Sequence, residues 1–99
     1  MTARVRILRR AQKDLLEIQA YVSREDPAAA SRMVEGLLEA IASLGEHPRK
    51  GPVPNDAHLR AAGFRFLVVG NYPVFYKAPR SLVRVYRVLH GRRAYKRLL

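Results

Sequence analysis

Phe64-Arg65-Phe66-Leu67-Val68-Val69, Tyr72-Pro73-Val74-Phe75-Tyr76-Lys77 and the run Leu82 to Leu89 follow one another with only Gly70-Asn71 and Ala78-Pro79-Arg80-Ser81 between them. Each run is rich in aromatic or β-branched residues and bounded by turn formers, which predicts an antiparallel three-strand meander. Gly70-Asn71 is a two-residue hairpin signal, and Pro79 suits the second position of a turn. The same stretch carries the charge. From Arg60 to Leu99 there are ten Lys or Arg and no Asp or Glu, leaving nine basic against eight acidic residues before it. Function is therefore sought on or beside this sheet.

Working outward, Arg4 to Leu8 alternates as a short strand does, with Val5 and Ile7 inward and Arg4 and Arg6 outward, and its arginines suit an edge. From about Arg10 the period becomes helical. Ala11, Leu15, Ile18 and Val22 form a stripe, widened by Leu16 and Tyr21, and the helix runs to Ser23 or Arg24 without a good N-terminal cap. A second helix opens with Asp26 as N-cap and Pro27 at its first position. Met33, Val34, Leu37, Leu38, Ile41 and Leu44 make its apolar face, and Gly45 followed by Pro48 stops it. Gly36 either allows close approach of the first helix or is a tolerated exposed position. The short link forces the helices into an antiparallel hairpin. His47 to Gly63, rich in Pro, Gly, Asn and Asp, reads as a loop returning the chain to the sheet.

The expected architecture is α+β, in the order β-α-α-β-β-β, with an antiparallel sheet packed on an N-terminal helical hairpin. Residues 1–99 form one domain, since 99 residues are too few for two cores. Past Gly91 the chain forms either a short basic helix anchored by Tyr95, Leu98 and Leu99 or a frayed end. In the middle strand Tyr72, Val74 and Tyr76 oppose Pro73 and Phe75; in the last, Leu82, Tyr86 and Val88 oppose Val83, Val85 and Leu89. Neither face is cleanly polar, so the hairpin covers one, and either the loop with the tail or a partner protein covers the other.

A net charge of +11 implies a polyanionic partner. With no cysteine there is neither disulfide nor thiolate metal site. No apolar run is long enough for a signal peptide or a membrane span, so the expected location is cytoplasmic and the membrane is not a partner. His47, His58 and His90 lack metal-ligand spacing, no serine has a nucleophile-elbow context and no glycine pattern cradles phosphate, so no metal or cofactor is assigned. His90, beside Arg87, Arg92 and Arg93, either moves a proton in RNA cleavage or fixes the turn at Gly91 by bonding a backbone carbonyl. A general base would have to come from Glu46, Asp56 or another acid brought over by folding. Arg84, Arg87, Arg92, Arg93 and Arg97, interleaved with Tyr86 and Tyr95, follow either a phosphate backbone or an acidic protein surface; a solvated face is the alternative.

Several stretches together resemble the toxin subunits of the ParE and RelE superfamily, the toxic halves of bacterial toxin-antitoxin pairs of plasmid-stabilisation type. Ala11-Gln12-Lys13-Asp14-Leu15-Leu16-Glu17-Ile18 is similar to the opening helix of the ParE branch, and Asp26-Pro27-Ala28-Ala29-Ala30 to the start of its second helix. Leu44-Gly45-Glu46-His47-Pro48-Arg49, Tyr72-Pro73-Val74-Phe75-Tyr76 and Val88-Leu89-His90-Gly91-Arg92-Arg93 match later segments in the same order. The resemblance implies a toxin held inactive by a cognate antitoxin with an acidic segment. Its implied target is DNA gyrase, met by Arg84, Arg87, Arg92, Arg93, Tyr95, Lys96 and Arg97. The antitoxin is expected on Val5, Ile7, Leu15, Met33, Leu37 and Phe75, as a helix in a groove or as a strand added to the edge.

RelE-like relatives instead cleave mRNA on the ribosome, here with Arg87, His90, Arg92 and Tyr95. They carry an arginine early in the strand matching Tyr72 to Lys77, and Pro73 stands in its place. A proline cannot stabilise a developing phosphorane charge, which weighs against that alternative. A non-toxic basic binding module is the third reading.

Overall fold

Two helices packed on each other lie across one face of a four-stranded sheet in the computed structural model, which describes residues 2–91 and 99. The elements run β1 (Arg4–Ile7), α1 (Arg9–Ser23), α2 (Pro27–Ser43), α3 (Ala57–Ala61), β2 (Arg65–Val69), β3 (Tyr72–Lys77) and β4 (Leu82–Val88). The sheet order is β1-β4-β3-β2. The β2-β3-β4 meander is antiparallel as expected, but β1 joins β4 in parallel, which makes the whole sheet mixed. Both helices must be crossed before the chain reaches β4, and that long connection is what permits a parallel partner. Gly70 takes φ 60° in the two-residue turn between Val69 and Tyr72, where a side chain would be strained.

Local signals account for the helices. Asp26 accepts a hydrogen bond from the Ala29 N–H at 3.0 Å, with Pro27 beginning α2. No side chain caps α1, although Gln12 donates to the Ile7 carbonyl at 2.8 Å and ties its first turn to β1. Just past α2 the Ala3 N–H donates to the Gly45 carbonyl at 2.7 Å, holding β1 beside the end of α2. Ala11, Leu15, Leu37, Ile41 and Leu44 from the helical layer pack with Val74, Tyr76, Val83, Val85 and Val88 from the sheet. Truncating a fully buried leucine such as Leu37 costs about 2–5 kcal/mol in comparable cores.

Several expectations need correction. Leu16 and Tyr21 are 65% and 66% exposed and Leu38 is 43% exposed, so the stripes buried on α1 and α2 are narrower than their apolar patterns. Of the two readings of Gly36 the tolerated open position holds, since a Cβ there would meet nothing within 4 Å. The loop contains α3, capped by Asp56, which accepts from the Leu59 N–H at 3.0 Å. Five residues were too few for a helical period to show.

Face alternation in β4 also fails. The register steps from Tyr76↔Val85 to Phe75↔Arg87, leaving Tyr86 as an extra residue. Val83, Val85 and Val88 therefore share the main core, while Tyr86 and Leu89 belong to the other face. There Leu59, Phe64, Phe75 and Leu89 form a second small core, with Phe66, Tyr86 and Leu99 packed around it. Part of the second face is thus covered by the chain's own loop and last residue.

Candidate functional site

β1 accompanies β4 only as far as Val85, where the Leu8 N–H donates to the Val85 carbonyl. Beyond that point the edge of β4 is met by α1. Asp14 Oδ2 accepts from the Val88 N–H at 3.0 Å and from Arg87 Nε at 2.8 Å, while Oδ1 accepts from Arg87 Nη2 at 3.0 Å. The guanidinium-carboxylate fork is bidentate, and both residues are 6% exposed. Arg10 lies 3.7 Å from Asp14 and 3.6 Å from Glu17, extending the charge network to the surface. Asp14 shares the inward side of α1 with Ala11 and Leu15, three positions after the one and one before the other. An acid on a buried stripe was the available sign of this pair. Arg87, expected at the target-binding surface, is instead committed to holding α1 against the end of β4.

Beyond Arg87 the chain reaches His90, whose ring lies against Tyr72 with centroids 5.1 Å apart. The turn expected of this histidine is closed by backbone groups: Gly91 N–H donates to the Asn71 carbonyl at 2.7 Å and Leu89 N–H to the Pro73 carbonyl at 3.0 Å. Burial raises the pKa of the Tyr72 hydroxyl, with nearby Tyr21 adding to the shift, so this phenol is neutral at physiological pH. It can donate a hydrogen bond beside the point where the chain leaves β4.

The sheet face away from α1 and α2 carries a cavity of about 560 Å³ between the Pro52–Asp56 segment and the β2-β3 hairpin. Pro52, Pro54, Phe66, Val68, Pro73 and Phe75 give it apolar walls, and Gly91 stands at its rim. Pro73, which stands where the RelE-type resemblance expects an early-strand arginine, is part of this wall. Beneath this loop the Gly51 N–H donates to Tyr76 Oη at 2.9 Å, and Arg65 donates to the Gly51 carbonyl at 2.8 Å. Burial raises the Tyr76 pKa, while the Gly51 hydrogen bond and the Arg65 charge pull it back. This buried anchor was not anticipated, because its partners lie 25 positions apart.

On the helical side, Ile7, Leu15, Leu16, Gln19, Val34 and Leu38 line a groove of about 320 Å³ between α1 and α2. Ile7 and Leu15, two of the residues expected to meet the antitoxin, line this groove. Val5 and Met33 are half-buried against the main core, and Leu37 is wholly inside. Phe75 lies on the opposite face, 2% exposed. The six residues expected to meet the antitoxin, by a groove or by the β1 edge, are thus divided among the groove, the main core and the far face. Leu16, Val34 and Leu38 belong to the groove although the expected set omits them; they had been counted toward the core stripes.

Among the expected cationic contacts, Arg84 is half-buried in β4. Arg92, Arg93, Tyr95, Lys96 and Arg97 lie outside the described residues. Among the described residues no three His, Cys, Asp or Glu side chains gather as a metal site, and no helix is long and apolar enough to cross a membrane.

Solved structures share this β-α-α-β-β-β arrangement. It overlays a chain of the chromosomal ParDE system of P. aeruginosa with TM-score 0.77 and 16% identity, covering 91% of this chain and 97% of that one. A chain of the RelBE2 toxin-antitoxin complex of Mycobacterium tuberculosis overlays with TM-score 0.69 and 22% identity, covering 91% and 99%. At these identities the likeness speaks for the fold alone. Sequence decides the family. The chain belongs to the ParE toxin family of type II toxin-antitoxin systems, whose model matches residues 5–95. It is also 36% identical over 84 residues to toxin RelE2 of Caulobacter vibrioides, across 85% of this chain and 90% of that one.

Proposed function

We propose that this chain is a cytoplasmic toxin that poisons DNA gyrase by trapping its cleavage complex, and that a cognate antitoxin neutralises it. The observation carrying the choice of target is the cavity wall at Pro73. Where a ribosome-dependent nuclease would present an arginine to the scissile phosphate, this wall is apolar. The ParE family match supports the same choice. Binding then replaces chemistry, and Arg92, Arg93, Tyr95, Lys96 and Arg97 supply contacts to gyrase. Arg84 adds a charge from the sheet, while Arg87 acts indirectly, by holding the end of β4 from which this segment departs.

The antitoxin contributes an amphipathic helix to the groove between α1 and α2. Exposed Leu16 and Leu38 are its anchors, with Ile7 and Leu15 beneath. An acidic segment of the antitoxin complements the basic half of the toxin.

Induction of the chain without its antitoxin tests the target, scoring growth, the DNA-damage response and mRNA integrity in the same cells. Damage with intact message is expected, and Arg92→Glu with Arg93→Glu should relieve toxicity while the fold persists. Rapid message cleavage without damage would transfer the assignment to the RelE-type nuclease. The observation favouring that second reading is the Tyr72-His90 pair, which could handle protons at the end of the sheet. Normal growth would leave a basic binding module.

A further inference from the structure

Basic side chains line up across three strands on the sheet face away from α1 and α2. Arg6 of β1 is in register with Arg84 of β4, and Arg84 with Lys77 of β3. Registered partners share a face and stand about 5 Å apart. Val5, Ile7, Val83 and Val85 turn to the main core, which puts this row on the opposite side, with Arg4 extending it along β1. Arg4 and Arg6 are exposed, and Arg84 and Lys77 half-buried. No strand of the sheet contains an Asp or Glu. The ion pairs among the described residues join Arg10 and Arg87 to acids of α1, away from the row. Like charges directly opposite one another are destabilising in a sheet, and an anion lying over the row would relieve that repulsion.

We propose that this row is a binding site for the phosphate backbone of double-stranded DNA, distinct from the cavity at Pro73. Two features choose the occupant. Among the described residues the exposed large apolar side chains are Leu16, Tyr21 and Leu38 on the helices and Val53 and Val68 beside the cavity. Among those residues the row has no apolar anchor on which a protein partner would be centred, and nucleic-acid interfaces are the more polar and cationic kind. Single-stranded nucleic acid needs open aromatic faces for its bases. Here Lys77 Nζ sits 4.6 Å from the Phe64 ring centroid and 5.1 Å from that of Tyr86, and the two rings meet edge to face at 5.2 Å. These rings hold the ammonium in place and offer no platform to a base. A duplex backbone, read by charge alone, fits what remains. The site needs no gyrase, so it stands or fails separately from the poisoning reading.

The test is fluorescence anisotropy with a labelled duplex of about 20 base pairs across a salt series, where each phosphate contact contributes about 0.9 to the slope of log affinity against log salt. Arg6→Gln with Arg84→Gln, which retains long side chains, should reduce that slope by about 2 and weaken binding roughly tenfold at fixed salt. Lys13→Gln with Arg32→Gln removes the same charge from exposed helix positions and should change neither. Circular dichroism melting confirms that each variant folds; if the double variant does not, exposed Arg6→Gln alone should lower the slope by about 1. Equal effects from the row and helix variants overturn the site, because total charge would then be responsible. An unchanged slope in the row variant, or tighter binding of single-stranded RNA than of duplex, also overturns it.

Discussion

Replacing Asp14 by alanine leaves the Arg87 guanidinium without its bidentate acceptor and the Val88 N–H without its bond, at positions only 6% exposed. Removing one member of a buried ion pair costs about 3–5 kcal/mol, because the remaining charge has lost that counter-charge without regaining water. In a domain of this size each kcal/mol moves the melting temperature by roughly 4–8 °C, so the variant should melt at least about 12 °C lower. The double variant Asp14→Ala with Arg87→Met removes both charges and keeps most of the arginine's volume. It should recover most of the loss, as apolar replacements of buried pairs commonly do. Urea unfolding of the wild type, both single variants and the double variant closes the cycle and isolates the coupling. A loss below about 1 kcal/mol for Asp14→Ala would refute the reasoning, since it would mean water reaches the pair. So would a double variant no more stable than Asp14→Ala, which would place the damage in packing rather than in charge.

Burial raises the Tyr76 and Tyr72 pKa values above 10.0, so the folded state favours the neutral phenols. Their contribution to stability is fully present below pH 10.0 and is lost as pH rises through the folded values. Tyr76→Phe should flatten that alkaline decline relative to wild type in pH-dependent urea melts, while costing about 1 kcal/mol near neutrality for the lost Gly51 bond. Gly51→Ala should destabilise by about 1–3 kcal/mol in the same assay, because a Cβ there runs into the Phe66 backbone carbonyl and the Tyr76 hydroxyl. Leu16→Glu with Leu38→Glu should leave the melting temperature within a few degrees of wild type yet weaken antitoxin binding at least tenfold by titration calorimetry, placing about 1.4 kcal/mol or more in the groove.

The order of elements was legible because local physics writes it into the chain. Asp26-Pro27 marks the start of α2, the aromatic and β-branched runs mark the meander, and Gly70 marks its first turn. The family resemblance was legible for the same reason, being carried by short stretches in fixed order. The candidate site was legible only in part. Ile7 and Leu15 line the groove between α1 and α2, but an apolar period does not distinguish Leu37, which faces the sheet, from Leu38, which faces water. Arg87 looked like one cation among many until folding brought Asp14 to it across 73 positions of sequence.

By itself, then, the sequence determined the elements other than α3, the charge asymmetry and the family, since each depends on neighbours a few positions apart. Tertiary structure alone decided that β1 runs parallel to β4, that Tyr86 is an extra residue, and that Arg6, Arg84 and Lys77 stand side by side. Strand register depends on which distant segments meet, and that follows from the joint packing of helices and four strands around a core on each face of the sheet.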